Sequence, residues 1–90
     1  MSDAPIRFSQ HALDKFEVLR RHGLDLSQEQ VEETVRRPDR VVPGYAGRLI
    51  AQGPLDARRV LRVVYEQGPQ GIIIVTFYPG RRARYEQDQV

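Results

Sequence analysis

The stretch that most constrains the fold is residues 60–85, where two runs rich in β-branched and aromatic residues flank a Gly-Pro-Gln-Gly break. This pattern is typical of a β-hairpin that lies inside a sheet. Side chains alternate along a strand, and a five-residue loop at 67–71 leaves one hairpin face wholly apolar. A loop one residue shorter would mix the two faces, so we favour the longer loop. The second face is mixed, and Arg62 lies near its middle.

The predicted register has direct consequences for Arg62. The expected cross-strand pairs are Tyr65–Ile73, Val63–Val75 and Leu61–Phe77 on the apolar face, and Glu66–Ile72, Val64–Ile74, Arg62–Thr76 and Val60–Tyr78 on the mixed face. Helices should cover the apolar face, so Arg62 should point away from them, within reach of Thr76 and near Tyr78. A buried guanidinium without a partner is costly, and we therefore expect Arg62 to meet solvent, Glu66 or an anion.

The N-terminal half carries the signals of two helices. Ser9 is a good N-cap for a first helix over about residues 10–22, which Gly23 then ends. A Ser-Gln-Glu-Gln capping box that starts at Ser27 opens a second helix, and Pro38 closes it. The side chains expected to cover the apolar face of the hairpin are Ala12, Leu13, Phe16, Leu19, Val31 and Val35.

Two helices followed by a run of strands predict an α+β fold, with both N-terminal helices on one face of a three- to four-stranded antiparallel sheet. Residues 48–51 read as a further strand, and residues 6–8 as a short extended segment. Pro79 and Gly80 should end the second hairpin strand, and residues 81–85 then form a last short strand or an arm. Ninety residues indicate a single domain, with an ordered core of about residues 6–86 and a frayed tail at 87–90.

Arginine dominates the positive charge, since Lys15 is the only lysine among fourteen basic residues and the formal net charge is +2. Acidic residues gather in the second helix, whereas the C-terminal segment is basic. Arginine forms bidentate hydrogen bonds with phosphate and stacks on bases, so this asymmetry suggests a polyanionic partner such as nucleic acid. A GC-rich genome or a hot habitat explains the arginine content equally well, and the composition alone does not decide between them.

Several function classes have no support in the sequence. There is no cysteine, no apolar run near the roughly 18–20 residues of a membrane span, and no signal-peptide pattern at the start. We therefore expect a cytoplasmic protein without membrane association. A Gly-rich phosphate loop, a nucleophile elbow and metal-ligand spacing of histidine and carboxylate are absent too, so we expect neither a cofactor nor a metal.

A set of short motifs resembles one protein family when order and spacing are taken together. The motifs are His11-Ala12-Leu13, Arg20-Arg21-His22-Gly23-Leu24, Val31-Glu32-Glu33-Thr34-Val35, Pro38-Asp39-Arg40-Val41, Val63-Val64-Tyr65, Val75-Thr76-Phe77-Tyr78-Pro79 and Arg82-Ala83-Arg84-Tyr85. Over residues 8–86 the chain resembles a small bacterial family of unknown function that is allied to the BrnT toxins of the RelE/ParE superfamily. The resemblance implies a RelE/ParE-like fold. It also implies an endoribonuclease that acts on mRNA or at the ribosome and is held in check by an antitoxin.

Metal-independent RNA cleavage needs a proton acceptor for the 2′-hydroxyl, cations for the charge on phosphate and often an aromatic ring for a base. His11 could accept or donate a proton near neutral pH. The resemblance implies Arg62, Arg82 and Tyr85 as site residues, because basic side chains on the sheet and a C-terminal aromatic often form the superfamily's site. With His11 they are the candidate catalytic residues. The candidate RNA-binding residues are Lys15, Tyr78, Arg81 and Arg84.

Structural roles compete with these assignments. A histidine early in a helix often caps or packs, and a basic edge strand often serves to prevent sheet-to-sheet pairing. The second hypothesis is therefore a non-catalytic module that binds RNA, DNA or an acidic protein through its basic C-terminal surface. Salt dependence of binding separates a phosphate-binding surface from other surfaces.

Overall fold

Five β-strands and three α-helices form residues 4–86, the part of the chain that this computed structural model describes. In chain order they are β1 (Ile6–Phe8), α1 (Gln10–Arg21), α2 (Gln28–Arg36), β2 (Arg40–Pro43), β3 (Leu49–Pro54), β4 (Arg59–Gly68), β5 (Gly71–Arg81) and α3 (Arg82–Glu86). A 3₁₀ turn, Tyr45–Gly47, links β2 to β3. The frayed tail that the sequence predicts at residues 87–90 lies outside the described residues.

Both N-terminal helices begin where the sequence predicts. Ser9 Oγ accepts a hydrogen bond from the backbone N–H of Ala12 at 3.0 Å and caps α1, and Gly23 follows that helix at φ +88°. Ser27 and Gln30 form the predicted capping box of α2. These caps satisfy N–H groups that have no partner inside a helix, so short polar side chains determine where the two helices start.

The strands form one mixed sheet in the order β1-β5-β4-β3-β2, and the predicted α+β class is confirmed. β1 runs parallel to β5, whereas the other neighbouring strands are antiparallel. The predicted sheet of three or four antiparallel strands is therefore wrong. The edge strands β1 and β2 have three and four residues, which is too short for a period-2 pattern to identify them as members of the sheet.

The central hairpin turns over residues 69–70, so the predicted five-residue loop is wrong. A β-bulge leaves Val75 without a cross-strand partner and shifts the register between the two ends of the hairpin. The observed pairs on the core face are Leu61–Pro79, Val63–Phe77 and Tyr65–Ile74. Because of the bulge, Ile72, Ile74 and Phe77 are all buried, which strict alternation along one strand does not allow.

The core lies between the sheet and the two N-terminal helices. Phe16 of α1 and Phe77 of β5 pack with ring centres 4.6 Å apart, and Leu19 is partly buried beside them. The helix residues that are buried in this core are Ala12, Val31, Thr34 and Val35. Leu13 is 39% exposed, so its predicted inward packing is wrong. The buried stripe of α1 follows Ala12, Phe16 and Leu19, which recur at helical spacing, and Leu13 lies beside that stripe.

α3 lies on the opposite face of the sheet and replaces the strand or arm that the sequence predicts at the C-terminal end. β5 continues through Pro79 and Gly80, because β1 pairs only with the start of β5 and proline is tolerated on an unpaired edge. The backbone N–H of Arg82 then donates to the carbonyl of Arg58 at 2.8 Å. The Tyr85 ring rests on Gly80, where a Cβ would overlap the ring.

Candidate nucleic-acid interface

Four side chains with polar groups form a row across the sheet face that lies opposite α1 and α2. The register aligns Arg40 of β2, Gln52 of β3, Arg62 of β4 and Tyr78 of β5. Their neighbours along β3 and β4, such as Ala51 and Val63, point into the core, since side chains alternate between the two faces. We call these four residues, together with Tyr85 of α3, the polar row.

Arg62 is the centre of the polar row and is held from three sides. Its Nε donates to the Tyr78 hydroxyl at 3.0 Å, and its Nη1 donates to Gln52 Oε1 at 2.5 Å. The guanidinium carbon lies 4.1 Å from the centre of the Tyr85 ring. Arg40 adds a hydrogen bond from Nη1 to the Tyr85 backbone carbonyl at 3.1 Å. Only 8% of Arg62 remains exposed.

The predicted orientation of Arg62, away from α1 and α2 and near Tyr78, is confirmed. The predicted pair with Thr76 is wrong, because Tyr78 lies opposite Arg62. The expected contacts with solvent or Glu66 are also wrong: α3 covers the guanidinium, and Glu66 pairs with Arg48 at 2.9 Å.

Within residues 4–86 as described, no carboxylate forms an ion pair with Arg62; an amide oxygen, a hydroxyl and an aromatic ring are its partners. Hydrogen bonds and a cation–π contact offset much of the loss of hydration that burial imposes on a guanidinium. The hydrogen bonds of Arg62 run from β4 to β3 and β5, its cation–π contact reaches α3, and the bond from Arg40 to the Tyr85 carbonyl connects β2 to α3. The polar row therefore joins the sheet to its C-terminal helix.

A second arginine-rich surface lies at the end of the sheet where β3 turns into β4 and β5 meets α3. The residues that line a depression there are Asp56, Ala57, Arg58, Arg59, Arg81, Arg82 and Ala83, and we call this depression the arginine cleft. Two arginine doublets meet in it because β4 begins where β5 ends. Arg59 and Arg81 are direct cross-strand partners.

Asp56 organises one side of the arginine cleft. Its Oδ1 accepts the backbone N–H groups of Arg58 and Arg59 at 2.9 and 2.7 Å, and its Oδ2 accepts Nε and Nη2 of Arg59 at 2.9 and 2.8 Å. The Arg59 side chain, followed by the Arg58 backbone, lowers the pKa of the Asp56 carboxyl below its ordinary value. The Asp56 carbonyl accepts Nε and Nη2 of Arg82 at 3.0 and 2.9 Å. One residue thus orients an arginine from each doublet.

The arginine cleft carries more positive charge than its single carboxylate can neutralise. Four guanidinium groups line it beside a single carboxylate. In the described part of the chain, the guanidinium groups of Arg58 and Arg81 form no hydrogen bond or ion pair with another residue. Arg59 is paired with Asp56, whereas the Arg81 guanidinium on the opposite strand has no carboxylate partner among the described residues. Such a surface is suited to bind phosphate groups.

The structure separates the candidate residues into three groups. Arg62, Tyr78 and Tyr85 belong to the polar row, whereas Arg81 and Arg82 line the arginine cleft. Arg84 is exposed on α3, with its guanidinium carbon 5.4 Å from the Tyr85 ring centre. His11 and Lys15 form a third group on α1, which packs on the other face of the sheet. The candidate proton acceptor, His11, therefore lies across the sheet from Arg62.

Arg58, Arg59 and Asp56 are absent from the candidates that the sequence suggests. Their signal is an arginine doublet that follows an aspartate by two residues and precedes a strand. The doublet points to a site only when the hairpin register is known. The two-residue turn and the bulge together set that register, and they place position 59 opposite position 81. The predicted five-residue loop places Arg59 out of line with Arg81 and so conceals the cleft.

Comparison of the chain with protein-family models, with curated proteins and with solved structures finds no match. Among residues 4–86, no three His, Cys, Asp or Glu side chains gather in an arrangement that could hold a metal ion. None of the helices in that range is long and apolar enough to span a membrane. The fold and the site therefore define an α+β domain that presents a cluster of four arginines at one end of its sheet.

Proposed function

We propose that this chain is a RelE/BrnT-like domain that binds RNA without cleaving it, and that the arginine cleft holds the phosphate backbone. The observation that carries the proposal is the direct opposition of Arg59 and Arg81, with Arg58 and Arg82 beside them. The resemblance of the sequence motifs to RelE/ParE-type proteins supports RNA as the nucleic acid. The position of His11 on α1, across the sheet from Arg62, favours binding over catalysis.

The physical argument concerns charge that the fold leaves uncompensated. Asp56 pairs with Arg59, so the uncompensated charge is that of Arg58 and Arg81. A phosphate between the two doublets would balance that charge, and guanidinium groups match phosphate oxygens in pairs. Arg58 and Arg81 are free to bond to a ligand, because within residues 4–86 as described no other residue occupies their guanidinium groups. Binding of this kind releases counterions from RNA, so its affinity falls as salt increases.

Fluorescence anisotropy of a labelled single-stranded RNA tests the proposal. The double variant Arg58→Ala/Arg81→Ala removes two cleft charges that make no internal bonds. A matched control, Arg20→Ala/Arg21→Ala, removes two exposed charges of α1 that lie outside the cleft and pair with Glu17. We expect wild type and control to lose affinity steeply between about 50 and 200 mM salt. In the cleft variant the slope of log K against log salt should become shallower by about 0.7 for each phosphate that the variant no longer binds.

Two results would count against RNA binding by the cleft. An affinity that does not change with salt would exclude a phosphate-dominated interface. Equal losses in the cleft variant and in the α1 control would mean that only net charge matters. Tighter binding to single-stranded DNA or to an acidic protein than to RNA would assign the surface to that partner instead.

A second candidate function is a metal-independent endoribonuclease that acts on mRNA, free or at the ribosome. The observation that favours it is that α3 carries both Arg82 and Tyr85, at helical spacing, and places the Tyr85 ring against Arg62. In this function a small antitoxin protein would be the physiological partner. A neighbouring gene for such a protein would support the toxin assignment.

Cleavage of RNA in the presence of EDTA tests the endoribonuclease. If the candidate is right, Arg82→Ala and Tyr85→Phe should each reduce the cleavage rate by about 100-fold or more, whereas His11→Ala should leave it unchanged because α1 lies across the sheet. Arg62→Ala needs a circular-dichroism measurement to show that the variant is folded, since loss of the buried Arg62 side chain can destabilise the protein. Equal cleavage by all variants would indicate a contaminating nuclease.

A further inference from the structure

We infer that the arginine cleft recognises the terminal phosphomonoester of an RNA strand in preference to an internal phosphodiester. The inference rests on the proposed function, because it names the part of the RNA that enters the same cleft. Three features of the cleft support it: its concave shape, the excess of guanidinium over carboxylate groups, and the fixed orientation of two of the arginines.

The first feature is the shape of the surface. The turn before β4 forms one side of the depression and the junction of β5 with α3 forms the other, so each side contributes one arginine doublet. A terminal phosphate has the nucleotide chain on one side only and can project into a depression. An internal phosphodiester has sugars on both sides, which hold it away from a concave floor. The two doublets can therefore surround a terminal group more completely.

The second feature is the balance of charge. Four guanidinium groups and one carboxylate line the cleft, and the carboxylate of Asp56 is already engaged by Arg59. A phosphomonoester carries about 1.5 to 2 negative charges at pH 7, whereas each internal phosphodiester carries one. The stronger charge and the third free oxygen of the terminal group match a cleft with several unshared N–H donors.

The third feature is preorganisation. Asp56 holds the Arg59 guanidinium through its carboxylate and the Arg82 guanidinium through its carbonyl. These two groups are oriented before a ligand arrives, so little conformational entropy is lost when they bind. Arg58 and Arg81 lie beside them on the exposed surface and supply the remaining donors.

The experiment compares RNA oligonucleotides of one sequence that differ only at their ends. One has a 5′-phosphate, one a 3′-phosphate and one has hydroxyl groups at both ends, each with an internal fluorescent label. We expect the oligonucleotide with a phosphate at the recognised end to bind wild-type protein about tenfold more tightly than the oligonucleotide with hydroxyl ends. Comparison of the 5′ and 3′ forms identifies which end enters the cleft.

A pH series separates terminal recognition from general attraction. The second ionisation of a phosphomonoester lies near pH 6, so the preference for the phosphorylated end should decrease as the pH is lowered from about 7 to about 5. The cleft itself keeps its charge over this range. Its other charged residues are Arg58, Arg59, Arg81 and Arg82, and the pKa of Asp56 is lowered.

The variants then locate the preference. Arg58→Ala/Arg81→Ala should abolish the tenfold difference, and Arg20→Ala/Arg21→Ala should preserve it. If all three oligonucleotides bind equally and with the expected salt dependence, terminal recognition is wrong although the proposed RNA binding holds. If none of them binds, the proposed function itself fails. A preference that survives in the cleft variant would place the terminal phosphate elsewhere and would also overturn the inference.

Discussion

Arginine has two opposite roles in this molecule, and the environment of each side chain decides which. Arg62 is buried, and its bonds to Gln52, Tyr78 and the Tyr85 ring leave little of it available to a ligand. Arg81 is exposed, faces another arginine across the strands and has no internal partner among the described residues. The sequence presents both as basic residues near tyrosines. The surroundings of each guanidinium indicate a structural role for Arg62 and are compatible with the phosphate-binding role proposed for Arg81.

Asp56 leads to a prediction about pH at the scale of one residue. Its pKa is lowered in the folded protein, so its contribution to stability is complete above the unfolded-state pKa of about 3.9 and is lost as pH falls through the lower folded value. Asp56→Asn should therefore reduce the melting temperature at neutral pH by up to a few degrees. The difference from wild type should shrink below about pH 4, as Asp56 becomes protonated in both folded and unfolded chains.

Thermal unfolding followed by circular dichroism across this pH range provides the measurement. Asp25→Asn is a suitable control, since Asp25 is an exposed carboxylate in the α1–α2 connection and lies outside the arginine cleft. A constant difference between wild type and Asp56→Asn at all pH values would show that the amide disturbs the turn for reasons other than charge.

At the scale of elements, α3 is a short helix that is held in place by contacts with the sheet. It has five residues, too few for a stable isolated helix, and it is anchored by the Tyr85 ring on Gly80 and Arg62. Gly80 is required there because any side chain would overlap the Tyr85 ring. The helix therefore depends on a glycine in a strand, a position where glycine usually weakens a sheet.

Gly80→Ala should destabilise the fold by about 1–3 kcal/mol, because the added methyl group must displace Tyr85 and with it α3. Urea unfolding gives the change in free energy. Gly68→Ala is the control, since a Cβ at Gly68 meets nothing within 4 Å and the change should be neutral or slightly stabilising. In a Tyr85→Ala background, Gly80→Ala should have little further effect. A full loss in that background would mean that the methyl group disturbs β5 rather than α3.

At the scale of the whole molecule, local sequence signals are sufficient to predict part of the fold. The caps at Ser9 and Ser27 predict the helix starts, and the apolar residues of the hairpin predict both the α+β class and the face on which Arg62 lies. Each of these depends on residues that are close in sequence or on the burial of one strand face.

The remaining features depend on contacts between distant parts of the chain. A single bulged residue, Val75, changes the register of the hairpin, and alternation alone contains no signal for it. α3 depends on Tyr85 reaching Gly80 and Arg62 across the sheet face. The candidate site is also only partly predictable from the sequence. Arg81 belongs to a basic run that the sequence shows, whereas the position of Arg59 opposite it follows only from the observed strand register.

The parallel pairing of β1 with β5 also determines when the sheet can be completed during synthesis. Ile6 pairs with Ile72 and Phe8 with Ile74, and the N–H of Ser9 donates to the Ile74 carbonyl at 2.9 Å. β1 is translated before the other four strands, but it cannot pair until β5 is present. Contacts of such long sequence separation slow folding, because loop closure must precede them. β1 of the nascent chain therefore gains its place in the sheet only after β5 has been translated and has left the exit tunnel.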